Sequence, residues 1–224
     1  MNHLKYFPLL FAMYCGIATG GSESEQKNSN DSRSAELKLE GSTRTVPFVI
    51  PATYHPRTVN YRPGAKIFDI SFDVAYPSME PWSKVGPRSP FEKKVSLRVS
   101  STGYHTPQKS LSIYLSAFPK SPPKLMGDLG LINWSGDKPG FQVFTPAVDR
   151  PTVYLMCGYR GPSVKAELGC RTELLANLTS NNIGTTRSHK TAAVHIRYEA
   201  TRQLLPEWQD VERKTIELLQ KFTN

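Results

Sequence analysis

Catalytic signatures are missing from these 224 residues. There is no Gly-x-Ser-x-Gly elbow, no His-Glu-x-x-His zinc helix and no Walker-type phosphate loop, so the usual marks of three large enzyme classes are absent. The five histidines stand singly, at 3, 55, 105, 189 and 195. Cysteine is scarce: Cys15, Cys157 and Cys170 include no close pair of the kind a zinc site or a thioredoxin-type Cys-x-x-Cys centre requires. No internal repeat is visible. No cofactor and no metal are expected.

Two weaker signals also read as structure. Asp69 and Asp73 fall on the wet side of one predicted strand, about 13 Å apart at strand rise, beyond the roughly 5–9.5 Å of a glycosidase pair. They are expected to be solubilising charges. His195 lies between Val194 and Ile196 on the polar side of another strand and is expected to face solvent or pack, not to catalyse.

Positive charge is abundant, with 28 Lys and Arg against 19 Asp and Glu and a formal net charge of +9. That favours an anionic partner without naming one. The first twenty residues, MNHLKYFPLLFAMYCGIATG, combine a basic start at Lys5, an apolar stretch from Tyr6 to Ala18 and a small-residue exit at Gly20. This is secretory signal architecture, too short for a spanning helix. Cys15 leaves a lipid anchor open, although the bulky Met13 and Tyr14 stand where a lipoprotein signal wants small residues, and cleavage near Gly20 is the preferred reading. Residues 21–36 form a polar tether with too little apolar surface to fold, and 37–224 read as a single β-rich domain. Export makes nucleic acid an improbable target.

Period-two alternation predicts strands in IFDISFDVAY (Phe68, Ile70, Phe72, Val74, Tyr76), KKVSLRVSS (Val95, Leu97, Val99), SLSIYLS (Leu111, Ile113, Leu115) and AVHIRYE (Val194, Ile196, Tyr198). Shorter strands are predicted at 46–50, 130–134, 141–144, 152–159 and 168–175. From Leu204 to Phe222 the period becomes helical through Trp208, Val211, Thr215, Leu218 and Leu219, with Pro206 in the first turn. The predicted class is α+β, mainly antiparallel β-sheet with a C-terminal amphipathic helix.

Cys157 and Cys170 flank a turn around Gly161 and Pro162, and with an export signal a hairpin disulfide is the expected state, two buried thiols being the alternative. Long proline-rich loops at 76–94 and 118–128 are the kind that bind. The first carries prolines at 77, 81, 87 and 90 and should be neither helix nor central strand. It gathers Met79, Trp82, Arg88 and Phe91, side chains typical of interface anchors. These are the candidate partner-binding residues, unless Trp82 and Phe91 merely cap the core. TYHPRTVNYRPG (53–64) mixes Tyr54, His55, Arg57, Tyr61 and Arg62 and reads as a surface loop. The Asn-x-Ser/Thr triplets at Asn30, Asn133 and Asn177 are uninformative.

PFVIPATY (Pro47–Tyr54), VAYPSMEP (Val74–Pro81), the cysteine hairpin and the last strand running into LLPEWQDVERKTIELL (Leu204–Leu219) together resemble periplasmic immunity proteins encoded beside bacterial type VI secretion effectors. That resemblance implies a non-enzymatic periplasmic protein that binds a cognate secreted toxin and blocks it; it supplies no catalytic residues. The alternatives are a periplasmic or secreted protein binding an anionic envelope ligand, or a hydrolase whose pocket forms from residues distant in sequence.

Overall fold

Alternation of apolar and polar side chains organises most of the molecule. The computed structural model describes residues 32–38, 45–57, 66–67, 69–90, 93–100, 106–116, 122–135, 141–158, 169–178 and 194–223. In a small sheet, β1 (Ser32–Lys38) pairs antiparallel with β2 (Thr45–Pro51) and parallel with β3 (Lys66–Ile67). The large sheet comprises β4 (Asp69–Ala75), β5 (Glu80–Pro81), β6 (Lys94–Ser100), β7 (Lys124–Met126), β8 (Leu131–Asn133), β9 (Gln142–Pro146), β10 (Thr152–Cys157), β11 (Gly169–Ala176) and β12 (Val194–Thr201). Its order is β5-β4-β6-β12-β11-β10-β9-β8-β7, and neighbours pair antiparallel.

The last strand is thus inserted in the interior, between β6 and β11, so the helix that follows falls across one face of the sheet. That helix is α3 (Trp208–Thr223), entered through a 3-10 turn over Arg202–Glu207. Its apolar stripe buries Trp208, Val211, Leu218, Leu219 and Phe222. Phe72 and Phe222 meet edge to face at 5.8 Å, with Tyr54 5.1 Å from Phe222. Phe48 and Ile50 of β2 join the same core as Leu97 and Ile196 of the large sheet. Burying each large apolar side chain contributes about 1.5–3 kcal/mol. No helix among the described residues is long and apolar enough to cross a membrane.

Cys157 and Cys170 stand directly opposite at the end of the β10–β11 pair, Cα atoms 4.1 Å apart, joined as a disulfide and buried. Closing a loop of this length restricts the unfolded chain by about 3 kcal/mol. The turn expected around Gly161 and Pro162 lies outside the described residues.

Three expectations are corrected. SLSIYLS is not a strand: residues 107–116 form α2 (Pro107–Ser116). Thr106 caps it, its Oγ1 accepting from Lys109 N at 3.3 Å, and Pro107 sits at the first helical position where no N–H is needed. This start signal outweighs the short alternation, and Ile113 emerges on the exposed side. The polar tether gives way to structure at Ser32, not after 36, because Ala35 and Leu37 continue an alternation that β2 can pair and bury. Finally, Pro206 lies inside the 3-10 turn, which delays α3 to Trp208.

A charge on the apolar side of α3 fixes its register. The buried Glu212 carboxylate accepts from Thr152 N at 3.0 Å, from Thr152 Oγ1 and from Arg150 Nε at 3.1 Å. The Arg150 guanidinium also covers the Trp208 ring at 5.3 Å. Glu212→Ala is expected to cost about 3 kcal/mol in urea unfolding, because Thr152 is left with an unsatisfied buried N–H. Glu212→Gln, which keeps one acceptor oxygen, should cost less.

Candidate functional site

Residues 76–90 build a turn, an edge strand and two short helical turns at one margin of the large sheet. The Tyr76–Pro77 peptide is cis, and Met79 takes a left-handed φ of 58°. Such a conformation costs a non-glycine residue roughly 1–2 kcal/mol. The Met79 side chain offsets this by entering the core, while its N–H donates to Ala75 O at 2.7 Å and its carbonyl accepts from Tyr54 Oη at 3.2 Å. The chain then returns so that Pro81 pairs Val74 and Glu80 pairs Ala75.

Proline was expected to keep this loop free of helix; instead α1 (Trp82–Val85) follows Pro81 and a 3-10 turn spans Gly86–Arg88. The prolines occupy the entry positions, where a missing donor costs nothing. Ser83 Oγ donates to Thr53 O at 2.8 Å, which ties the unit to the turn after β2, and Lys84 pairs with Glu80 at 2.8 Å within the unit.

Trp82 is half-buried and lies against Gly86, where a β-carbon would sit 2.5 Å from its Cε2. The glycine is needed for this close approach, since its φ of −51° suits any residue. Arg88 is exposed on the same unit. Met79 supports the turn from beneath, and Phe91 lies outside the described residues.

Beside the turn, a cleft of about 310 Å³ has Tyr54, Met79, Leu218 and Phe222 among its walls, with Lys214, Glu217 and Lys221 also lining it. The turn is clamped to α3 across it. Lys214 Nζ donates to Pro77 O at 3.1 Å, pairs with Asp210 at 3.2 Å and lies 5.1 Å over the Tyr76 ring. Tyr76 Oη donates to Asp210 Oδ2 at 2.8 Å. Burial, and then the hydrogen bond to Asp210, push the Tyr76 hydroxyl above its ordinary range. Burial alone would raise the Asp210 carboxyl, but Arg213, Tyr76 and Lys214 bring it down to about 2. Sequence reading missed this clamp: Asp210 and Lys214 are visible as an i,i+4 pair on a helix, but their partner lies 137 positions from Lys214.

The large-sheet face turned away from α3 is polar. Asp73 pairs with Lys94 at 3.1 Å and Arg57 at 3.3 Å, and Asp69 with Arg98, so the two aspartates are ion-pair partners, not merely solubilising. Glu173 is buried and accepts from His195 and from Arg197 Nε at 2.8 Å. Burial would raise the Glu173 carboxyl; His195 and then Arg197 hold it below the ordinary carboxylate value. Burial opposes ionisation at Asp73 too, but Ser96, Lys94 and Arg57 lower it. Ser100 Oγ lies 3.5 Å from His195 Nδ1, longer than the about 2.6–3.2 Å of an activated nucleophile. His195 is therefore packed within an ion-pair network. Among the described residues no group of His, Cys, Asp and Glu is placed to hold a metal ion.

Tyr54 packs into the core, and Arg57 pairs with Asp73 while its side chain stays largely exposed; Tyr61 and Arg62 lie outside the described residues. Asn133 is buried, its Oδ1 accepting from Ser135 N at 2.9 Å.

No family model and no curated protein matches the chain. The fold is similar to that of an immunity protein of the Stenotrophomonas maltophilia type IV secretion system, with a TM-score of 0.50 and 14% identity over 85% of this chain and 93% of that one. The iron-regulated outer membrane lipoprotein FrpD of Neisseria meningitidis matches at a TM-score of 0.36 and 12% identity, over 89% and 100% of the two chains.

Gly86→Ala is expected to displace the Trp82 indole, costing about 1–3 kcal/mol and shifting the indole N–H resonance in a nitrogen-correlated spectrum. Acid should weaken the fold through Glu173, Asp73 and Asp210. Each stays ionised to lower pH when folded, so the unfolded chain binds more protons and stability falls as pH drops from about 4.5 towards 2. Urea midpoints followed over that range should decline less steeply in Asp210→Asn than in the parent.

Proposed function

We propose that this protein is an exported immunity protein that binds a toxin carried by a bacterial secretion system and blocks it in the periplasm, without catalysis of its own. The observation that carries this reading is the fold likeness to a secretion-system immunity protein across most of both chains. The sequence resemblance is to proteins paired with type VI effectors, while the structural neighbour serves a type IV system. Both are immunity proteins of secretion systems, and we take a type VI effector as the cognate partner.

Trp82 and Arg88, with Phe91 a few residues on, are assigned to the contact surface, and the adjoining cleft receives a side chain of the toxin. The clamp to α3 supports this assignment, because a surface held before encounter loses little conformational entropy on binding. Export follows from the leader-like first twenty residues, with Cys15 as the anchoring residue should the signal be of the lipoprotein kind.

The test is affinity capture from the native host with the parent protein and with Trp82→Ala as baits, followed by mass spectrometry and a growth assay with the captured effector. One secreted toxin should be recovered in a one-to-one complex, its toxicity suppressed by the parent. Truncating Trp82 should weaken the complex by about 2 kcal/mol or more. A host producing its secreted toxins, yet yielding none on the parent bait, would rule out this function.

A further inference from the structure

The polar face of the large sheet contains an arrangement that pairing of strands does not reward. Arg98 of β6 and Arg197 of β12 are directly opposite cross-strand partners, and like charges so placed oppose pairing. Each is held from its far side, Arg98 by Asp69 of β4 and Arg197 by Glu173 of β11. The carboxylates lie low and the guanidiniums high. Side-chain exposure is 18% for Asp69 and 2% for Glu173, against 51% for Arg98 and 31% for Arg197.

Arg57 extends the row. Its backbone bridges Ser71, the cross-strand neighbour of Arg98, and its side chain is 65% exposed above Asp73 at 18%. An incoming group therefore meets the guanidinium layer first, and Coulomb attraction grows as distance shrinks. The neighbouring Arg171–Glu199 pair is reversed, its carboxylate 50% exposed against 34% for the arginine, so the cationic row is confined to Arg57, Arg98 and Arg197.

We propose that this face binds an acidic segment of a protein partner, whose carboxylates lie between the Arg98 and Arg197 forks. Arginine suits this role because its planar fork retains donors for a second carboxylate. A protein is favoured over a bare polyanion by what adjoins the row. Glu173 neighbours Tyr154 of β10, which Tyr114 of α2 covers at 5.8 Å, and Tyr114 in turn touches Phe141 at 5.7 Å. Phe141 and Ile113 are 39% and 53% exposed. Arginine beside exposed aromatic and aliphatic side chains is the composition of a protein interface, and the chain's net charge of +9 speeds encounter with an acidic partner. The proposal concerns a different face from the Trp82 surface and stands whether or not the partner there is a toxin.

The test is a fluorescence-anisotropy titration of the full chain with a labelled oligoglutamate peptide carrying one internal leucine, alongside inorganic polyphosphate of equal charge. The peptide should bind saturably and more weakly as salt rises. Arg98→Gln with Arg57→Gln should weaken it about tenfold, and Arg197→Lys, which keeps a cation beside Glu173, by less. Thermal unfolding of each variant verifies that it folds; Leu125→Ala, on the exposed edge strand β7, should leave peptide binding unchanged. The proposal is overturned by a parent that binds no peptide, by folded arginine variants that bind it as tightly as the parent, or by polyphosphate binding more tightly than the peptide.

Discussion

The structure depends on drying one face of a broad antiparallel sheet, and a single helix does most of this. Because β12 pairs between β6 and β11, α3 leaves the sheet from its interior and crosses the rows that hold Phe72, Leu97 and Tyr198. Tyr198 Oη donates to Trp208 O at 3.2 Å, tying the helix start to the strand just before it. Glu212 then locks the helix against β10, since a buried carboxylate tolerates no position in which Thr152 and Arg150 are out of reach. Apolar contact supplies most of the energy, and this polar contact supplies the register.

The same helix shapes the candidate surface. Its last turns contribute Leu218 and Phe222 to the cleft, and its exposed side contributes Asp210 and Lys214 to the clamp on Tyr76 and Pro77. A strained Met79 and a one-turn helix do not hold their shape in isolation, where nucleation opposes so short a helix. Here Tyr54, Thr53 and α3 hold them from three directions. The candidate loop is thereby tied to the turn that follows β2 and to α3.

The two faces of the large sheet divide the work. One is apolar, sealed by α3 and stapled at the end of the β10–β11 pair by Cys157–Cys170, which packs with Leu205 and Trp208. The other carries Asp69 and the buried Glu173 beneath the more exposed guanidiniums of Arg98 and Arg197, and α2 covers it in part. Alternation along β6 and β12 produces both at once: Leu97 and Tyr198 face inward while Arg98 and Arg197 face outward.

The α+β class, the β6 and β12 strands, the amphipathic stripe of α3 and the cysteine pairing were legible in the sequence, because periodicity and nearby spacing are local quantities. Met79, Trp82 and Arg88 were singled out by composition; that Met79 turns inward, and that Trp82 rests on Gly86, depends on backbone angles that residue type leaves open. Alternation misled at Leu111–Leu115, where Thr106 and Pro107 start a helix whose packing partner, Tyr154, is far along the chain. By itself the sequence determined which side chains prefer to be buried and on what period. Strand order, the Glu212 anchor, the α3 clamp and the opposed arginines were decided only by the tertiary structure, because each joins residues whose separation in sequence carries no record of their meeting.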